Sequence, residues 1–159
     1  MVLGSLLLVG NIVFCLGVSY DDRLLGFNDG AAFARELDEA RKILSTPRDA
    51  PLQVGAGYLG WMLDEGGRTV DALRVALEQR VCSIWLSFGN DLGRWVEYIR
   101  QYDEKRTEAH RTLVWVLVNS VGEAEVATRS WGADVLVVQG MACSGCGDFC
   151  RGSGGVLRG

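Results

Sequence analysis

Apolar positions along this chain fall into two alternating kinds of run. Val135-Leu136-Val137-Val138, Leu113 to Val118 and Val81 to Phe88 are short and nearly unbroken. Runs of that length without a polar face predict strands covered on both sides, as in a parallel sheet flanked by helices. Between them the apolar residues recur at helical spacing, at Phe33, Leu37, Ala40 and Leu44, at Val70, Leu73 and Leu77, and at Leu92, Trp95, Val96 and Ile99. Each set is one stripe of an amphipathic helix. In the first of these helices Arg35, Glu36, Glu39, Arg41 and Lys42 are expected to face water.

The punctuation agrees with that division. Pro47 and Pro51, the chain's two prolines, end the first helix and open a loop. Thr69 and Asp91 stand where caps are needed, and Gly132 where a helix ends in a left-handed residue. Asp64 to Gly67 reads as a loop, Gln101 to Arg111 as a solvated helix end and connection, and Asn119 and Ser120 as a polar strand exit. Leu52 to Leu59 reads as a strand in which Gly55 and Gly57 alternate with Val54, Ala56 and Tyr58. Paired glycines at that spacing imply a bend, tight helix-to-sheet packing, or the close approach of something bulky. Strand and helix thus alternate every 20–30 residues, the signature of βαβ units, with about five parallel strands.

Composition narrows the class. The chain of 159 residues is 48% hydrophobic and 23% charged, as expected of one globular domain. With a net charge of −4 and basic residues scattered among acids, nucleic acid is not expected as a partner. Residues 1–20 carry no charge, so a signal or membrane role there stays open. The absence of Lys or Arg ahead of the apolar run, and Asn11 and the glycines within it, favour one buried strand with an irregular lead-in over residues 1–16. A cytoplasmic protein is therefore expected.

Length by itself favours an open, doubly wound sheet of flavodoxin type, because a closed (β/α)8 barrel takes about 250 residues. Particular stretches point elsewhere. PLQVGAGYLGWMLD at 51–64, SIWLSFG followed by DLGRWVEYIR at 83–100, LVWVLVNSVGEAEVA at 113–127 and ADVLVVQG at 133–140 together resemble the nitronate monooxygenase family, also called 2-nitropropane dioxygenases, in its fungal-type branch. The resemblance spans residues 17–140. It implies a partial (β/α)8 TIM barrel, incomplete at both ends, that binds FMN and oxidises an alkyl nitronate with dioxygen to a carbonyl compound and nitrite. It also implies flavin neighbours at Gly55, Gly57, Gln139 and Gly140, with Tyr20 and Trp61 on the substrate rim.

In the family the Gln-Gly pair is followed by an acidic residue and then by a catalytic histidine. Here Ala142 holds the acidic position and Cys146 the histidine position. A free thiol titrates about two units above imidazole, so impaired turnover is expected, and Asp148 is the nearest ionisable alternative. The single histidine, His110, falls on the amino side of a strand, the wrong end for a barrel site, and is expected at the surface. Residues 141–159 depart from the family pattern as a Gly- and Cys-rich tail. Cys143, Cys146 and Cys150 lack a fourth ligand, so no metal site is expected. Most tryptophans, Trp85, Trp95 and Trp115 among them, are expected to be packing residues. A related FMN barrel of enoyl-reductase type and a non-catalytic flavodoxin-like binding domain are the alternatives.

Overall fold

The computed structural model describes the backbone of Ser5–Val9 and Ile12–Leu16 and, in full, residues 30–107 and 109–139. In chain order the elements are β1 (Ser5–Val9), β2 (Ile12–Leu16), α1 (Gly30–Ile43), β3 (Leu52–Leu59), α2 (Gly60–Asp64), α3 (Arg68–Glu78), β4 (Val81–Ser87), α4 (Leu92–Glu104), β5 (Leu113–Val118), α5 (Val121–Val126) and β6 (Val135–Val138). A five-residue π-helical turn, Ala127–Trp131, prolongs α5. The strands form one sheet in the order β1-β2-β3-β4-β5-β6. β1 and β2 are antiparallel, and every later pair is parallel. β3 to β6 alternate with helices as the periodicity predicts.

The first apolar run departs from expectation. Instead of one strand over residues 1–16, it supplies two that pair with each other, Ser5 opposite Leu16 and Val9 opposite Ile12. The two residues between them in sequence, Gly10 and Asn11, belong to the types that suit the shortest hairpin connections. What had read as an interruption separates two strands. Nor is the sheet doubly wound: a doubly wound order reverses at a switch point, whereas this order never reverses. Parallel strands advancing steadily in one direction through right-handed crossovers put every helix on the same face. In agreement, α1 packs on α3, α3 on α4, and α4 on the π turn.

Alternation along the strands then separates two faces. Val54, Ala56 and Tyr58 of β3, Ile84 and Leu86 of β4, and Val114, Val116 and Val118 of β5 are buried in one core with Leu73, Leu77, Val96 and Ile99 from the helices. Each fully buried aliphatic side chain contributes about 1.5–3 kcal/mol. The Tyr58 hydroxyl reaches through this core to donate to the Ala72 carbonyl at 3.0 Å. Burial pushes that phenol well above its ordinary range, so it stays protonated and a donor. The other face carries Gly55, Gly57, Ser83, Trp85, Leu113, Trp115 and Val135, in register across the strands.

Arg41 is corrected from a water-facing position to a buried one, 6% exposed. Its guanidinium donates to the carbonyls of Pro47 at 2.7 Å, Ala50 at 2.9 Å and Gln79 at 2.8 Å. It thereby satisfies loop and helix-end carbonyls that have no helical partner. Leu44 lies beyond the end of α1 and is exposed. Gly67, not Thr69, precedes α3, and residues 60–64 of the stretch after β3 form the helix α2. Asp91 caps α4 through the Arg94 N–H, and Gly132 is left-handed at φ 71°, both as the sequence predicts.

β6 is not enclosed on both sides. It has a neighbour on one side only among the described strands, and Val138 is 76% exposed.

Candidate functional site

Parallel βα sheets place ligands at the carboxyl ends of their strands. Here those ends are built around close backbone contact. A Cβ on Gly60 would lie 2.8 Å from the Gly89 Cα and 2.4 Å from Leu92 Cδ2, and one on Gly89 would meet Gly60 in the same way. The exits of β3 and β4 touch because both residues lack side chains, and the Trp61 N–H donates to the Phe88 carbonyl at 3.0 Å. Phe88 itself is left-handed at φ 52° and half-exposed. A non-glycine residue held there stores strain of the kind that collects at ligand-binding loops.

Beside this contact lies a hollow of about 320 Å³ between the exits of β4 and β5, lined by Phe88, Asn90, Leu117, Asn119, Glu123 and Trp131 among others. One wall is fixed by a reciprocal cap: the Glu123 N–H donates to Ser120 Oγ at 3.2 Å, and the Asn119 N–H donates to the Glu123 carboxylate at 2.6 Å. The opposite wall depends on Gly93, where a Cβ would collide with the Trp131 indole at 2.4 Å. Among the described residues Glu123 is the one ionisable side chain lining the hollow, and its carboxylate is already engaged. The walls are otherwise apolar or carboxamide, a lining that binds and orients a ligand and does not by itself abstract a proton.

The expected flavin neighbours share one face but not one hollow. Gly57 is level with Trp85, Trp115 and Val135, and Gly55 with Ser83 and Leu113, so both lie along the floor and not at the exits. The Gln139 N–H donates to the Val118 carbonyl at 3.0 Å, which sets Gln139 at the mouth beside the hollow. Three strand spacings of about 4.8 Å separate the Gly57 and Gln139 strands. Trp61 is 44% exposed on α2, at the same end of the sheet. Tyr20, Gly140, Ala142, Cys143, Cys146, Asp148 and Cys150 lie outside the described residues.

His110 is at the amino end of the sheet as expected, but it is half-buried instead of superficial. Its Nε2 lies 3.2 Å from the Val81 carbonyl. Burial, with Arg106 and Arg80 nearby, holds its pKa below the ordinary imidazole value against the pull of the carbonyl and Asp103. Cys82 lies 3.2 Å from the Val54 carbonyl, and burial pushes its thiol up, away from a nucleophile's range. Among the described residues no cluster of His, Cys, Asp and Glu could hold a metal ion.

One feature of the floor was missed in the sequence. Trp85 and Trp115 stack with ring centroids 6.3 Å apart and planes 23° from parallel, in the same row as Gly57. They stand on the face opposite the helices. Their parity, one residue out of step with Ile84 and Leu86 and with Val114 and Val116, was the available signal. A flat aromatic ring system finds suitable surroundings here: a glycine beside stacked indoles, with carboxamides at the mouth. An FMN phosphate finds none at this end of the sheet among the described residues. The α4 N-terminus is capped by the Asp91 carboxylate, and Arg94 is engaged by the Trp95 ring at 4.6 Å and Asp64 at 3.6 Å.

No family model, curated protein or solved structure matches this chain. Fold and site together define an α/β protein whose sheet is parallel from β2 to β6, with helices alternating with those strands and a small hollow at their carboxyl ends. Among the described residues no helix is long and apolar enough to cross a membrane.

Proposed function

We propose that β2 to β6 are successive strands of a (β/α)8-type barrel that binds FMN and belongs to the nitronate-oxidising class, with an alkyl nitronate or nitroalkane and dioxygen as its small-molecule partners. The observation that carries this reading is the unreversed strand order with helices on one face, the arrangement from which such barrels are built. It leaves the row of Gly57, Trp85 and Trp115 as an inner floor. FMN supplies the redox chemistry when bound. The chain's own part is to seat the ring over Gly57 and the two indoles, to orient the substrate beside Phe88 and Trp61, and to exclude water with the apolar wall of the mouth. With Cys146 at the family's histidine position, proton abstraction is impaired, so ring binding is retained better than turnover.

The test is titration of the full chain with FMN, followed by flavin and tryptophan fluorescence and by nitronate-dependent oxygen uptake and nitrite release. Saturable mutual quenching with slow or negligible turnover is expected. Protein that is folded by circular dichroism yet leaves flavin fluorescence unchanged overturns the reading. That result would favour a non-catalytic binding domain, the alternative to which the engaged Glu123 carboxylate also points.

A further inference from the structure

At the other end of the sheet, a second hollow of about 250 Å³ is lined by Arg41, Arg48, Arg80, Arg106, Tyr102 and Glu78, with backbone from the end of α3. It has room for roughly eight waters at about 30 Å³ each. Four guanidinium-bearing residues converge here in a chain whose net charge is −4. Part of their hydrogen-bonding capacity is spent on structure. Arg41 holds three carbonyls, Arg80 donates to the Arg48 carbonyl at 2.7 Å, and Arg106 donates to the Leu77 carbonyl at 2.6 Å.

The remainder is unspent. The Arg106 side chain is 7% exposed, and its Nε and Nη1 are buried with no acceptor among the described residues. Among the described residues the Arg48 side chain has only an ion pair with Asp38 at 3.8 Å and is otherwise exposed. Arg80 is left-handed at φ 55°, a costly conformation for an arginine. The positive charges crowd one another as well: after burial, the charge of Arg80 is the largest influence lowering the Arg41 pKa, and Arg48 adds to it against Asp38. Three carboxylates stand against the four guanidiniums: Asp38 beside Arg48, Asp103 at 3.4 Å from Arg106 Nη2, and Glu78, which Arg74 also approaches at 4.0 Å.

We propose that this hollow binds a small dianionic oxoanion, inorganic phosphate or the phosphate of a phosphomonoester, held by Arg48 and Arg106 and stabilised by the charges of Arg41 and Arg80. Planar guanidiniums match tetrahedral oxoanions through paired N–H groups. The hollow's size fits one phosphate group with a short substituent. Its position at the amino ends of the strands separates it from the mouth, so the proposal stands whether or not flavin binds.

The test is calorimetric titration and thermal unfolding of the full chain with sodium phosphate, with β-glycerophosphate, and with sodium chloride at matched ionic strength. Saturable phosphate binding and a midpoint a few degrees above the chloride control are expected. Arg48→Ala removes an exposed side chain and no carbonyl contact. It should leave circular dichroism and the chloride midpoint unchanged and weaken phosphate binding about tenfold, the worth of one charge-assisted hydrogen bond. Arg106→Lys should weaken binding by a similar factor. Equal affinity for the two phosphates identifies free phosphate as the ligand, and tighter binding of the ester identifies a phosphomonoester. Identical unfolding in phosphate and chloride, or Arg48→Ala binding as tightly as the parent, overturns the proposal.

Discussion

The two ends of the sheet are held together by different means. At the amino end, long side chains reach across the sequence to backbone groups. Asp134 accepts from the Val114 N–H at 2.7 Å and from Arg100 and Arg111 at 2.5 Å each. Asp103 accepts from the Thr112 N–H at 2.8 Å and its hydroxyl at 3.0 Å, and Arg100 donates to the Thr112 carbonyl at 2.8 Å. At the carboxyl end the packing rests on glycines, and Phe88, Trp61, Val121 and Val126 are exposed. Charged staples hold one rim while the other leaves apolar surface exposed. In this chain, charged cross-links and close glycine packing are divided along the strand axis.

That division can be broken most severely at Asp134. Removing it leaves the Val114 N–H unpaired and takes from the largely buried Arg100 its closest carboxylate, so Asp134→Ala should lose about 3 kcal/mol, measured by urea unfolding at neutral pH. Burial works to raise this carboxyl but is outweighed by the Val114 N–H and by Arg100 and Arg111, leaving it below the ordinary value. A depressed folded-state pKa contributes stability above the unfolded value, near 3.9, that is lost as pH falls through the folded one. Parent and variant stabilities should therefore converge in acid. A gap that persists undiminished at low pH would show that Asp134 acts by packing alone.

Arg41→Met keeps the bulk and removes three charge-assisted bonds to carbonyls, for an expected loss of about 2 kcal/mol on the same assay. Gly89→Ala forces apart the exits of β3 and β4, at about 1–2 kcal/mol, and should alter the mouth without affecting phosphate binding at the opposite rim. The smallest effect is expected at Phe88. Phe88→Gly relieves a left-handed backbone and forfeits little burial, so stability should change by less than about 1 kcal/mol, in the stabilising direction, while ligand affinity at the mouth falls. A variant that lost stability and kept affinity would show that Phe88 serves packing and not the mouth.

Local signals in the sequence carried most of the layout. The strands from Leu52 onward, the stripe of α4, the Asp91 cap and the left-handed Gly132 depend on neighbours within a turn or two, so spacing reveals them. What spacing concealed was non-local. Nothing near Arg41 announces that the Gln79 carbonyl, 38 residues away, receives its guanidinium. Asp103 and Arg106 look solvated in a polar stretch, yet their side chains are 8% and 7% exposed because β5 and α3 supply their partners. The hairpin's one signal, Gly10-Asn11, read as an interruption because the flanks on either side of it are equally apolar. At the site, Gln139 was readable as a strand exit, whereas the hollow of Asn119, Glu123 and Trp131 arises from two helices meeting and has no signature in any one segment.

An unreversed strand order has a consequence beyond architecture. Every βα unit touches mainly the units just before and after it, so loop-closure entropy is spent in small instalments and contact order stays low for a parallel sheet. Such a chain can assemble vectorially, each unit docking on its predecessor as it leaves the ribosome, without waiting for a distant strand to be synthesised.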